Sequence, residues 1–130
     1  MILVDTSVWV DHLRGGETQL ADLLQRGAVV MHPFVLGELA CGSLADRATV
    51  LGLLQDLPAA VAAEAAEVLG FVELHGLQGR GIGWVDAHLL AAVALTDGAS
   101  LWTRDKHLRA AAEALGCAWL AADREGSGAH

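Results

Sequence analysis

The sequence predicts an α/β fold: a central, mainly parallel sheet of about five strands, flanked by helices. Three observations point to it. Short apolar runs of strand length alternate with longer stretches that repeat apolar residues at helical spacing, and such alternation implies parallel pairing through right-handed crossovers. Two of the apolar runs end in aspartate, at Asp5 and Asp105. In an open α/β sheet that position opens onto the crevice at the carboxyl ends of the strands. The length, 130 residues, suits one domain that buries a core without metal or disulfide staples.

The elements follow in order. Residues 1–4 form a β-rich run that ends at Asp5. Ser7 reads as the N-cap of a helix over 8–13, broken by Gly15 and Gly16. Leu20, Leu23 and Leu24 make one apolar stripe of a helix over 17–25, closed by Gly27. Residues 28–31 form the second buried strand. Pro33 suits the first turn of a helix over 34–40 that Gly42 ends. A helix over 46–55, a short third strand over 57–62 and a helix over 64–77 come next. The stretch 76–83 carries four glycines and reads as a loop between helices. No strand precedes it and no Lys-Ser/Thr follows, so it is not a nucleotide-phosphate loop. Residues 85–95 form a strongly apolar helix, 99–103 the fourth strand, 106–115 a helix and 117–120 a fifth, short strand. The tail, 122–130, is small and polar and reads as flexible, leaving 1–121 as the domain.

Although 54% of residues are hydrophobic, charged residues interrupt every apolar stretch before it reaches membrane-spanning length. No basic segment precedes the first apolar run and Asp5 lies within it, so neither a secretory leader nor a membrane anchor is expected. Cys41 and Cys117 lie far apart and outside any zinc spacing. They read as reduced thiols of a cytoplasmic protein. The net charge of −8 argues against a large phosphate-binding surface. It is compatible with an acidic site neutralised by a divalent cation, or with a basic partner.

Four carboxylates border or interrupt apolar elements: Asp5, Glu38, Asp86 and Asp105. Hard divalent cations want oxygen ligands, and Mg²⁺ takes one or two carboxylates while keeping several waters. Such a metal lowers the pKa of water and offsets charge on a phosphoryl oxygen. Taken singly, each acid also has a structural reading. Asp5 and Asp105 can cap helices, Asp86 can favour a helix dipole, and Glu38 can sit on a solvent face. Spacing alone does not show that the four meet.

Four blocks resemble a known family. Ile2-Leu3-Val4-Asp5-Thr6-Ser7-Val8-Trp9, Gly37-Glu38-Leu39, Val85-Asp86-Ala87-His88-Leu89-Leu90-Ala91-Ala92 and Trp102-Thr103-Arg104-Asp105-Lys106-His107-Leu108 are similar, in order, to the four blocks of the PIN domain. The closest likeness is to VapC-type toxins of bacterial toxin–antitoxin pairs. The resemblance runs from residue 1 to about 120. It implies a Rossmann-like sheet and Mg²⁺- or Mn²⁺-dependent endonucleolytic hydrolysis of RNA. Asp5, Glu38, Asp86 and Asp105 become the catalytic tetrad. Asp5 and Asp86 are direct metal ligands, Asp105 binds directly or through water, and Glu38 orients waters or activates the nucleophile. Thr6 and Thr103 are supporting residues beside tetrad acids. The resemblance also implies inhibition by a VapB-like antitoxin with a basic segment, and a homodimer. Arg14, Arg80, Arg104, Lys106 and Arg109 are the candidate phosphate contacts, with Arg104 and Lys106, which flank Asp105, the foremost. Trp9, Trp84 and Trp102 adjoin acidic blocks and are expected in the core or at a dimer face.

Three other classes compete. A housekeeping RNA-processing nuclease would share the chemistry. A non-catalytic PIN-like binding module would lack the acids. A phosphohydrolase with an aspartyl nucleophile needs a second aspartate two residues after the first, where this chain has Ser7.

Overall fold

A computed structural model of the chain describes residues 1–121; the expected tail, 122–130, lies outside the described residues. Its sheet is three parallel strands in the order β2-β1-β3. They are β1 (Ile2–Val4), β2 (Val29–Val30) and β3 (Ser100–Trp102). In register, Ile2 faces Val29 on one side, and Val4 faces Trp102 on the other. Around them run α1 (Thr6–Gly15), α2 (Thr18–Gln25), α3 (Pro33–Cys41), α4 (Arg47–Gln55), α5 (Ala65–His75), α6 (Trp84–Leu95) and α7 (Lys106–Ala114).

The expected third and fifth strands exist only as single parallel bridges, Met31 to Ala59 and Leu101 to Ala118. Each is held by two backbone bonds: Met31 with Pro58 and Ala60, and Leu101 with Cys117 and Trp119. Pro58 lacks an N–H to donate to a ladder, which keeps its segment to an edge contact. The five strand segments of the sequence reading are all present, but the third and fifth stop after one pairing.

β1 is central, and Leu3 and Val4 are wholly buried. That burial on both faces is why the run reads as continuously apolar rather than alternating. α6 is the most enclosed helix: Ala87 through Val93 are all buried. A helix apolar all round belongs inside a core. Its one acid in the first turn, Asp86, lies at its N-terminal end.

The parallel arrangement puts every strand's carboxyl end on one edge. β1 runs out into Asp5, and the Asp5 amide extends the pairing by donating to the Trp102 carbonyl (2.9 Å). β3 runs out into Thr103 and Asp105. Two acids distant in sequence therefore start from adjacent strands. Trp9 and Trp102 are buried, whereas Trp84 is half exposed at the start of α6.

Candidate active site

Asp5 is the buried member of the four acids, at 7% exposure. A buried carboxyl group needs hydrogen-bond partners, and it has them on one oxygen. Its Oδ2 accepts from the Ser7 hydroxyl at 2.7 Å and from the Thr103 hydroxyl at 2.9 Å. The Ser7 amide adds a long contact at 3.4 Å. Asp5 is thus the N-cap of α1, a position the sequence reading gave to Ser7. Ser7 acts instead as a brace. Its Oγ donates to Asp5 and accepts from the Arg104 amide at 3.0 Å. Thr103 does the same on the other side, because its Oγ1 accepts from the Asp105 amide at 3.0 Å. These two hydroxyls tie the end of β1 to the turn after β3. The Ser7 role was missed because its partner lies 97 residues away in sequence.

Each of the other acids is anchored in the same manner. Asp105 caps α7, with Oδ1 accepting from the Leu108 amide at 2.9 Å. Asp86 accepts through Oδ2 from the Gly83 amide at 3.0 Å, just before its own helix. Glu38, exposed on α3, accepts through Oε1 from the Thr6 hydroxyl at 2.5 Å. In all four carboxylates one oxygen is fixed by a protein donor, and the other has no hydrogen-bond partner among the described residues. The capping readings and the site reading are therefore compatible: capping fixes the carboxylate and leaves half of it open.

Electrostatics brings the four together. Burial holds the Asp86 carboxyl above its ordinary range, against the lowering effect of the Gly83 amide; the charges of Asp5, Asp105 and Glu38 push it further up. The like-charge effect on Asp86 comes from all three of its companions. Among the described residues no three acidic, histidine or cysteine side chains are gathered tightly enough to form a ready cage for a metal. The donor chemistry still fits a hard cation. Only oxygens are offered, one open oxygen per acid, and Mg²⁺ needs few direct carboxylates because it keeps much of its water.

The clustering has a measurable consequence for the metal-free protein. A carboxyl whose folded pKa is raised binds its proton more tightly in the folded state than in the unfolded one. This term therefore stabilises as pH falls through the raised pKa, and opposes folding above it. Asp86→Asn removes the charge and keeps an acceptor for the Gly83 amide. In EDTA at neutral pH it should melt a few degrees above the parent chain in a thermal scan. A lower melting temperature for Asp86→Asn would show that burying this carboxylate beside its three companions does not oppose folding.

The two foremost candidate phosphate contacts differ in how far they are committed. The Arg104 guanidinium is committed to two acids, Asp11 and Glu17, each at 2.9 Å, and lies 5.9 Å from the Trp102 ring centre. Lys106 is exposed on the first residue of α7. Arg47 donates to the carbonyls of Gly42 (3.1 Å) and Ala40, closing the end of α3. The glycine loop touches the site at its end: Gly83 holds Asp86, and Gly81 lies so close to the His107 ring that an added Cβ would stand 3.0 Å from it.

Comparison with known proteins bears on the family of the chain. The family model described as PIN domain matches residues 2–114. Two curated relatives, both named Ribonuclease VapC32, come from Mycobacterium tuberculosis strains CDC 1551 / Oshkosh and ATCC 25618 / H37Rv. Each is 50% identical over 118 residues, covering 91% of this chain and 95% of the relative.

Proposed function

The chain belongs to the PIN domain family, and from this we propose that it is a metal-dependent endoribonuclease, the toxin of a toxin–antitoxin pair. One observation carries the reading: four carboxylates from four segments are each pinned by one oxygen and open at the other, and the charges of Asp5, Glu38 and Asp105 all act on Asp86. The names of its relatives support ribonuclease activity.

Asp5, Asp86 and Asp105 would hold Mg²⁺ or Mn²⁺. When bound, the cation supplies neutralising charge for a phosphoryl oxygen and lowers the pKa of nearby water. The rest falls to the chain's own residues. Thr103 and Ser7 keep Asp5 aimed, so its charge needs no rearrangement when substrate arrives. Thr6 holds Glu38 by one oxygen, which leaves the second to orient water or accept its proton. Lys106, exposed at the start of α7, would meet a backbone phosphate beside Asp105. Arg104 can do so only by exchanging its contacts with Asp11 and Glu17.

The proposed partners rest on the family likeness, and charge is compatible with one of them. A chain of −8 with an acidic crevice is suited to a VapB-like antitoxin whose basic segment enters the crevice. The active form is proposed to be a homodimer in the cytoplasm. Among the described residues no helix is long and apolar enough to cross a membrane, and both cysteines are free.

The purified chain should cut single-stranded RNA when Mg²⁺ or Mn²⁺ is added, stop in EDTA and resume when metal is restored. Undiminished cutting after exhaustive chelation would remove the metal from the mechanism. Failure to cut total cellular RNA under any metal condition would remove the ribonuclease.

A further inference from the structure

A pocket of about 390 Å³ opens between α1, α3 and α4, and Glu38 forms part of its wall. That volume lies within the range of about 300–1,000 Å³ usual for small-ligand sites. Its remaining lining is mixed. Val10, Leu13 and Leu39 supply an apolar face, while Arg14 and Asp46 supply one charge of each sign. Both charges are uncommitted. Arg14 has neither an ion pair nor a hydrogen bond among the described residues, unlike Arg26, Arg47 and Arg104. Asp46 stands at the N-cap position of α4, yet its carboxylate makes no capping bond.

Resting on the ribonuclease reading, we propose that this pocket is a nucleotide subsite, taking the base next to the scissile phosphate and choosing bases that carry an exocyclic amine. Glu38, one of the four acids, lies in the pocket wall, so a strand whose scissile phosphate meets the acids would pass the mouth of this pocket. The aliphatic wall gives a base a dry face to lie against. Arg14 is long enough and free to meet the phosphate that follows, as a charge-assisted contact. Single-stranded RNA is read on exposed base edges, and an aspartate accepts from amino groups there. Guanine fits best, since its Watson–Crick edge offers two neighbouring donors to one carboxylate. Uracil fits worst, because that edge offers carbonyl oxygens around a single N–H.

Two exposed substitutions test the subsite without touching the tetrad. The parent chain, Arg14→Ala and Asp46→Asn are incubated with a randomised single-stranded RNA pool and Mg²⁺, and cut sites are sequenced. In parallel, the four 5′-mononucleotides are titrated in EDTA against methyl-labelled protein, with Val10, Leu13 and Leu39 as reporters. The parent chain should favour an amino-bearing base at one fixed position beside the cut. Asp46→Asn should lose that preference while still cutting. Arg14→Ala should raise KM roughly tenfold with kcat kept, the loss of one charged hydrogen bond. GMP should shift the pocket methyls more than UMP without metal. The inference is overturned if the parent cuts RNA but both variants keep its KM and base preference. It is equally overturned if the variants change only the response to an inhibitory basic partner, which would make the pocket a protein-binding site. A parent chain that cuts nothing, yet binds GMP over UMP in the pocket, would sink the ribonuclease reading and leave the subsite standing.

Discussion

Asp5→Asn is expected to lower RNA cleavage by roughly 10³-fold, because it removes one full charge from the site that must hold the cation. Asparagine is the informative replacement. Its carbonyl still accepts from the Ser7 and Thr103 hydroxyls, which donate to Asp5 at 2.7 and 2.9 Å. Alanine would leave those hydroxyls without their acceptor inside the protein, and lost packing would mix with lost catalysis. With asparagine the fold should persist, so melting temperature in EDTA should stay near the parent value while turnover collapses. Asp86→Asn should lose cleavage alongside it, although it is expected to gain stability in the metal-free state. Loss of activity together with a gain or no change in stability is the signature of a site residue. Cleavage at the parent rate by both variants would defeat the tetrad assignment.

The second large effect is on acid stability and comes from outside the tetrad. His32 is 1% exposed at the start of α3. Its Nδ1 accepts from the Phe34 amide at 3.0 Å and caps the helix, while Nε2 is buried without a partner among the described residues. Burial, and then the neighbouring His88, hold its pKa down from 6.5 to about 4. Between these values the unfolded chain takes a proton that the folded chain refuses. Stability is therefore full above about 6.5 and falls as pH is lowered towards 4. The shift corresponds to a loss on the order of 3 kcal/mol. Protonation would also destroy the cap, because Nδ1 could no longer accept. His32→Asn keeps a capping oxygen and removes the titration. Urea unfolding at a series of pH values should show a steep fall for the parent and a flatter line for the variant. Identical slopes would assign the acid sensitivity elsewhere. The raised Asp86 carboxyl works in the opposite direction, so the asparagine variants at both positions separate the two terms.

The two halves of this protein were legible to different degrees. The helices and the three inner strands follow from patterns a few residues long: apolar runs buried on both faces, stripes at helical spacing, and Gly or Pro at their ends. The outer strands were read too long, because one parallel bridge and a full strand look alike in composition. Pro58 is the local mark of the difference. At the site, the four acids stood out singly because a carboxylate among apolar residues is costly to place. Their supports did not. Ser7 looked like a cap, and nothing near Arg104 in sequence marked its ion pairs. Ser7 meets the Arg104 amide, and the Arg104 side chain meets Asp11 and Glu17, across 87 or more residues of chain.

The sequence by itself determined the fold class, the order of the elements and the acids at their edges, since those depend on local period and on the cost of burying charge. The tertiary structure alone decided the strand order, β2-β1-β3, which puts the ends of β1 and β3 side by side. It also decided which oxygen of each carboxylate is tied and which is open. Register and hydrogen-bond direction are set by pairings between distant segments, and no window along the chain contains both partners.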